Sequence, residues 1–183
     1  MSKPKIGIII GSIRDGRSGA AVGAWVAENA AQRADAEFEV IDLKSFDVPL
    51  LTSATVPAAA KKQYESENVQ RWSTAIDACD GFVFVTPEYN ATPAPALKNA
   101  LDFLYHEWTY KPASFVSYGG VWAGSRAVQA LKPTLTQLGV MPVPEMVPIP
   151  GVSGLLDDNG NFQGDDRHAK GAAVMLDSLA KWS

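Results

Sequence analysis

The feature that most constrains this chain is a repeated alternation. Short apolar runs built from β-branched and aromatic residues are each followed by a glycine- or proline-rich loop and then by a stretch whose apolar residues fall three and four apart. Ile6-Gly7-Ile8-Ile9-Ile10 and Phe82-Val83-Phe84-Val85 are apolar on both faces, as strands must be when helices cover both sides of a parallel sheet. Phe38, Val40 and Ile41, closed by Asp42, form a second strand in chain order, Ser114 to Ser117 a fourth, and the proline-interrupted stretch from Val140 to Ile149 a fifth. Between them Val22, Trp25 and Val26, then Tyr64 to Ala78, then Leu97, Ala100, Leu101 and Leu104, then Val128, Leu131, Leu135 and Leu138 carry helical spacing, and Arg167 to Trp182 closes the chain as a helix. Ser18 stands where the first helix needs an N-cap, and Pro133 inside the fourth predicts a kink. The stretches from Val48 to Pro57 and from Gly151 to Asp166 read as irregular connections. Strand and helix in alternation call for an α/β fold: a doubly wound, five-stranded parallel sheet of order 2-1-3-4-5 with helices on both faces.

At 183 residues one core can serve residues 1–183 as a single domain. The formal net charge is −4 and Lys and Arg are scattered, so the basic stripe that nucleic acid requires is missing. Cys79 is the only cysteine, which excludes an intrachain disulfide and a cysteine metal cluster and suits a reducing cytoplasm. No signal-peptide core and no apolar run of membrane-spanning length is present, so a soluble protein is expected. His106 and His168 have no Cys, Asp or Glu at metal-ligand spacing and read as surface or helix-end residues; no metal site is expected.

In a doubly wound sheet the ligand lies beyond the carboxyl ends of the strands, where strand order reverses. That rule selects three loops. Gly11-Ser12-Ile13-Arg14-Asp15-Gly16-Arg17-Ser18-Gly19 leads from the first strand into the first helix, where free amides and the positive end of the helix dipole attract an anion. Two serines and two arginines reinforce a phosphate cradle, and two cations at a helix N-terminus are unfavourable unless an anion comes between them. Glycine and serine equally suit a plain solvated turn, and the pattern is neither a Walker loop nor GxGxxG. Pro87-Glu88-Tyr89-Asn90-Ala91-Thr92-Pro93-Ala94-Pro95 is stiffened by prolines and offers Asn90 and Tyr89 to a flat polar ring, or serves only as a stiff connection. Ser117-Tyr118-Gly119-Gly120-Val121-Trp122-Ala123-Gly124 has paired glycines that let a backbone approach a ligand closely.

Gly11 to Arg17, Thr86-Pro87-Glu88-Tyr89-Asn90, Leu97-Lys98-Asn99-Ala100-Leu101-Asp102, Glu107-Trp108, Lys111-Pro112, Phe115-Val116-Ser117-Tyr118-Gly119-Gly120, Gly124 and Arg126-Ala127 together resemble, in the same order, the NADPH-dependent FMN reductase family of flavodoxin-like proteins, which includes quinone, azo-dye and chromate reductases. The resemblance covers roughly the first three quarters of the chain, and its combined motifs are more specific than any lone glycine-rich loop. It departs at Pro93, Ala94 and Pro95, where the family usually shows an aromatic residue and Pro-Gly. By position it implies that Ser12, Arg14, Arg17 and Ser18 bind the FMN phosphate, that Pro87, Glu88, Tyr89 and Asn90 contact ribityl and ring, and that Ser117, Gly119 and Gly120 meet the pyrimidine side. It also implies NADPH or NADH as electron donor, a small-molecule acceptor, a homodimer or homotetramer, and no catalytic protein nucleophile or base. A second reading is a non-enzymatic flavodoxin-type carrier or an FMN-binding redox sensor, disfavoured by the arginines and the modest charge. Trp108 and Trp122 suit the cofactor site and the core equally.

Overall fold

The computed structural model describes residues 3–183. Five strands form one sheet in the order β2-β1-β3-β4-β5: β1 Lys5–Ile10, β2 Glu37–Asp42, β3 Gly81–Pro87, β4 Pro112–Gly119 and β5 Met141–Pro150. Every pairing is parallel, with Ile10 opposite both Asp42 and Val85, Thr86 opposite Ser117, and Pro87 opposite Tyr118. The expected order and the parallel pairing therefore hold, and the carboxyl ends of β1, β3 and β4 lie along one rim.

Helix α1 spans Gly19–Ala31, α2 is a single turn at Pro57–Ala60, α3 spans Glu67–Asp77, α4 Pro95–Asp102, α5 Ser125–Gln137 and α6 Asp166–Trp182. Alternate residues of each strand feed two cores. On one face Ile6, Ile8, Val83, Val85 and Val116 pack against Val22 and Val26 of α1 and Met175 and Leu179 of α6. On the other, Ile9, Phe82, Phe84 and Phe115 pack against Trp72 of α3, Leu97 and Leu101 of α4, and Val128, Leu131 and Leu135 of α5. β3 is buried at every position from Gly81 to Pro87, as the unbroken apolar run demands of a central strand.

The differences from expectation are local. α3 starts at Glu67 and not at Tyr64, because Tyr64 is tied by its amide to the Gln70 side chain and by its hydroxyl to Glu107. α5 continues through Pro133 to Gln137. The stretch expected to be plain loop after β5 contains a 3₁₀ turn at Val152–Leu155 and a bridge between Leu156 and Phe162. Trp108 is fully buried among Trp72, Phe82 and Phe84, and its indole N–H donates to the Leu101 carbonyl. It is core and does not line the rim. Trp122 is 60% exposed, with the Arg126 guanidinium over its ring. His168 closes a capping box with Asp165 at the start of α6. Cys79 is buried, and burial pushes its thiol up to about 11, so it is an unreactive packing residue. Among the described residues no helix is long and apolar enough to cross a membrane, and no group of three or more potential metal ligands occurs.

Candidate functional site: the rim of β1, β3 and β4

The first loop is anchored at its root, where the Gly11 amide donates to the Val85 carbonyl at 3.0 Å. Ser12 is almost fully buried, and its hydroxyl lies 2.8 Å from the Tyr89 hydroxyl. One hydrogen bond thus joins the loop after β1 to the loop after β3. The four cradle candidates divide. Arg17 donates to the Ser12 carbonyl and pairs in fork fashion with Asp42 at the end of β2, at 2.7 and 2.5 Å. The anion beside Arg17 in this structure is a residue of the chain itself, Asp42. Arg14 is exposed, forms no ion pair among the described residues, and holds its guanidinium 5.6 Å from the Tyr89 ring centre. Ser18 occupies the N-cap position of α1, but its side chain makes no capping hydrogen bond, so its hydroxyl and the first-turn amides remain available to a ligand.

The second loop is shaped by a two-residue reversal as well as by proline. Tyr89 and Thr92 exchange backbone hydrogen bonds at 2.8 and 3.1 Å, and between them Asn90 and Ala91 both adopt positive φ, 51° and 67°. An alanine there costs about 1–2 kcal/mol of backbone strain, so the reversal is held by its surroundings. Asn90 is exposed at its tip, Pro87 is buried in β3, and Pro95 takes the first position of α4, where its missing N–H does no harm. Glu88 is bonded to the first turn of α5. Its carboxylate takes the Arg126 side chain at 2.6 Å and the Arg126 amide at 3.1 Å. Burial pushes the carboxyl up, but the Arg126 guanidinium and the first-turn amides of α5 outweigh that and hold it below the ordinary carboxylate range.

The third loop is drawn tight by Ser117 and Gly124. The buried Ser117 hydroxyl donates to the Ala123 carbonyl at 2.8 Å, so its proton is spent within the loop. Gly124 has φ +76°, and a Cβ there would lie 2.8 Å from the Tyr118 amide nitrogen; glycine is required. Gly119 and Gly120 stand on this turn, and beside Gly120 a Cβ would meet nothing within 4 Å. That is open space against bare backbone.

One residue within the quoted motif escaped selection. Tyr118 is 95% buried and is the penultimate residue of β4, on the α1 face. Its hydroxyl lies against Gly19 in the first turn of α1, where a Cβ would collide with it, and has no hydrogen-bond partner among the described residues. The signal was its place two residues after Val116 in a strand whose alternate residues face α1. Asp42 was legible only as the end of β2, and Arg126 only as part of the resemblance.

Residues 4–153 match the family described as NADPH-dependent FMN reductase. The chain belongs to that family. It is 40% identical over 126 residues to an NAD(P)H-dependent FMN reductase of Schizosaccharomyces pombe, covering 69% of this chain and 63% of that protein. It is 38% identical over 155 residues to an NAD(P)H-dependent FMN reductase of a Nectria species, covering 82% and 77%. The chain thus spans somewhat less than two thirds of the first relative and about three quarters of the second. In fold it is similar to FerB, a flavoenzyme NAD(P)H:(acceptor) oxidoreductase of Paracoccus denitrificans, with TM-score 0.77 at 23% identity over 98% of this chain and 96% of that one. This NADPH-dependent FMN reductase family member therefore has the flavodoxin-like architecture expected of it.

Proposed function

We propose that this protein is an FMN-dependent NAD(P)H oxidoreductase that takes hydride from NADPH or NADH and delivers electrons to a small acceptor such as a quinone, a free flavin, an azo compound or a metal oxyanion. The observation that carries the reading is convergence. Three loops separated in sequence stand along one rim, the first bonded to the second through Ser12 and Tyr89, and the second bonded through Glu88 to Arg126 in the first turn of α5, directly after the third.

The residues present fit the cofactor. A phosphate suits the first turn of α1, where amides, the Ser18 hydroxyl and Arg14 are uncommitted and a buried tyrosine hydroxyl lacks a partner. Ser12, Arg14 and Ser18 would hold that phosphate, while Arg17 would act through Asp42 and the Ser12 carbonyl by fixing the loop. Pro87, Tyr89 and Asn90 would wall the ribityl and ring, with Glu88 orienting the wall from behind. The backbone of Gly119 and Gly120 would meet the pyrimidine edge, with Ser117 setting the turn. Bound FMN supplies hydride acceptance and onward electron transfer. The protein supplies position, and no side chain is assigned as acid, base or nucleophile. We further assign residues 1–183 to one domain, acting in the cytoplasm as a homodimer or homotetramer.

The purified protein, supplemented with FMN and desalted, should be yellow and should bleach when NADPH or NADH is added without oxygen. A preparation that retains no FMN rejects the site. A yellow protein that neither nucleotide reduces favours the electron carrier.

A further inference from the structure

We infer that Tyr118 is a phosphate ligand, its hydroxyl donating a hydrogen bond to the FMN phosphate from beneath the first turn of α1, and that it sets the preference for FMN over riboflavin. The inference rests on the proposed FMN site and goes beyond it in naming a residue, an atom and a selectivity.

Three observations converge on it. A buried hydroxyl without a partner is costly, about 1–3 kcal/mol, and such groups are rare. Yet Tyr118, at 5% exposure, has no partner at hydrogen-bonding geometry among the described residues, and the neighbouring Ser12 hydroxyl is bonded to Tyr89. The hydroxyl is not stranded at random, because it lies at Gly19, the first helical residue of α1, where amides already favour an anion. Gly19 is the residue that makes room for it, since any side chain there would occupy the volume of the phenol oxygen. Burial pushes the Tyr118 hydroxyl above the ordinary phenol range, so it stays protonated and can only help an anion by donating. Tyr89, whose own hydroxyl is bonded to Ser12, cannot serve the same place without breaking the link between the loops.

The test compares FMN and riboflavin binding by flavin fluorescence, together with thermal unfolding of the flavin-free protein, for the wild type and Tyr118→Phe. Tyr118→Phe should bind FMN at least tenfold more weakly while riboflavin affinity stays unchanged. Its flavin-free unfolding midpoint should be equal to or above that of the wild type, because an unsatisfied polar group has been removed. Equal FMN affinity in both proteins, or an equal loss for both flavins, overturns the assignment. So does a lowered midpoint, which would mean that the hydroxyl was already satisfied. Gly19→Ala is the second variant: a methyl in the hydroxyl's place should produce the same selective loss of FMN, and unaltered selectivity again overturns the inference. Failure of the wild type to bind either flavin rejects the site itself and is distinguishable from these outcomes.

Discussion

Tyr64 and Tyr118 both carry a phenol into the interior, and in both burial pushes the hydroxyl above its ordinary range, yet their surroundings are opposite. The Tyr64 hydroxyl donates at 2.8 Å to Glu107, a fully buried carboxylate that also accepts from the Ser73 hydroxyl at 2.6 Å and the Tyr105 amide at 3.1 Å. That network is closed. It ties the segment before α3 and α3 itself to the turn after α4, beside a cavity of about 210 Å³ lined by Tyr64, Leu51, Val69 and Phe103. At the rim, among the described residues, Tyr118 has no hydrogen-bond partner and Arg14 no carboxylate. Buried polar groups that satisfy one another serve the fold, while those left open among free amides and a cation are arranged for something the chain does not contain. Removing a residue from the closed network should therefore cost stability and leave FMN affinity alone, and the reverse should hold at the rim.

Glu107→Ala should give the largest effect. It strips a charged acceptor from three donors in the core and should lower the unfolding free energy by about 3–5 kcal/mol, read from urea denaturation. FMN affinity of the folded protein should change little, as the network and the rim share no partner. A loss of FMN affinity as large as the loss of stability would erase the distinction between the two regions.

Arg17 lies between the categories. Its fork to Asp42 is partly buried and its bond to the Ser12 carbonyl shapes the cradle, so Arg17→Ala should cost about 2 kcal/mol of stability. Most of that should vanish in an Asp42→Asn background, measured as a double-mutant cycle. An effect confined to FMN binding, with stability intact, would return Arg17 to the role of direct phosphate ligand.

This intermediate case shows where the sequence was legible and where it was not. The unbroken apolar run of β3 and the alternation around it were enough for the sheet and its order, because burial on both faces leaves a period-independent signature. The three loops were legible because topology nominates the carboxyl ends of strands. Partnership was not legible. Nothing in the local pattern around Arg17 reveals that Asp42, at the end of the neighbouring strand, reaches it, since parallel register brings together residues 25 apart. Glu88 was equally opaque: nothing in the local pattern beside Tyr89 reveals that the turn of α5 presents Arg126 and free amides to it. Tyr118 was hidden by its glycine neighbours, whose backbone seemed sufficient reason for the motif.

Arg14→Ala should have a smaller effect, and one of the opposite kind to Glu107→Ala. The side chain is exposed and unpaired, so unfolding free energy should move by less than about 0.5 kcal/mol. FMN should bind more weakly by about 1–2 kcal/mol, with riboflavin spared and the difference reduced at high salt. Riboflavin losing as much as FMN would place Arg14 over the ring, next to Tyr89, and not at the phosphate.

Glu88→Gln should be the mildest at neutral pH and the most informative as pH falls. The Glu88 carboxyl is held below the ordinary carboxylate range by Arg126 and the amides of α5, against the opposing effect of burial. The unfolded chain therefore binds its proton first as pH drops, so the interaction contributes stability above the unfolded value of about 4.3 and loses it as pH falls through the lower folded value. Arg126 is half exposed, which screens the pair and limits the gain to under about 1 kcal/mol. The stability gap between wild type and Glu88→Gln should accordingly stay constant from about pH 7 to 5 and close below about pH 4. Because the pair ties the second loop to the first turn of α5, the same variant should weaken FMN and riboflavin alike, unlike Tyr118→Phe or Arg14→Ala, since what it loosens is the wall around the ring. A gap that widens on acidification would mean that Glu88 is held protonated, and the clamp between the second loop and α5 would have to be assigned to other residues.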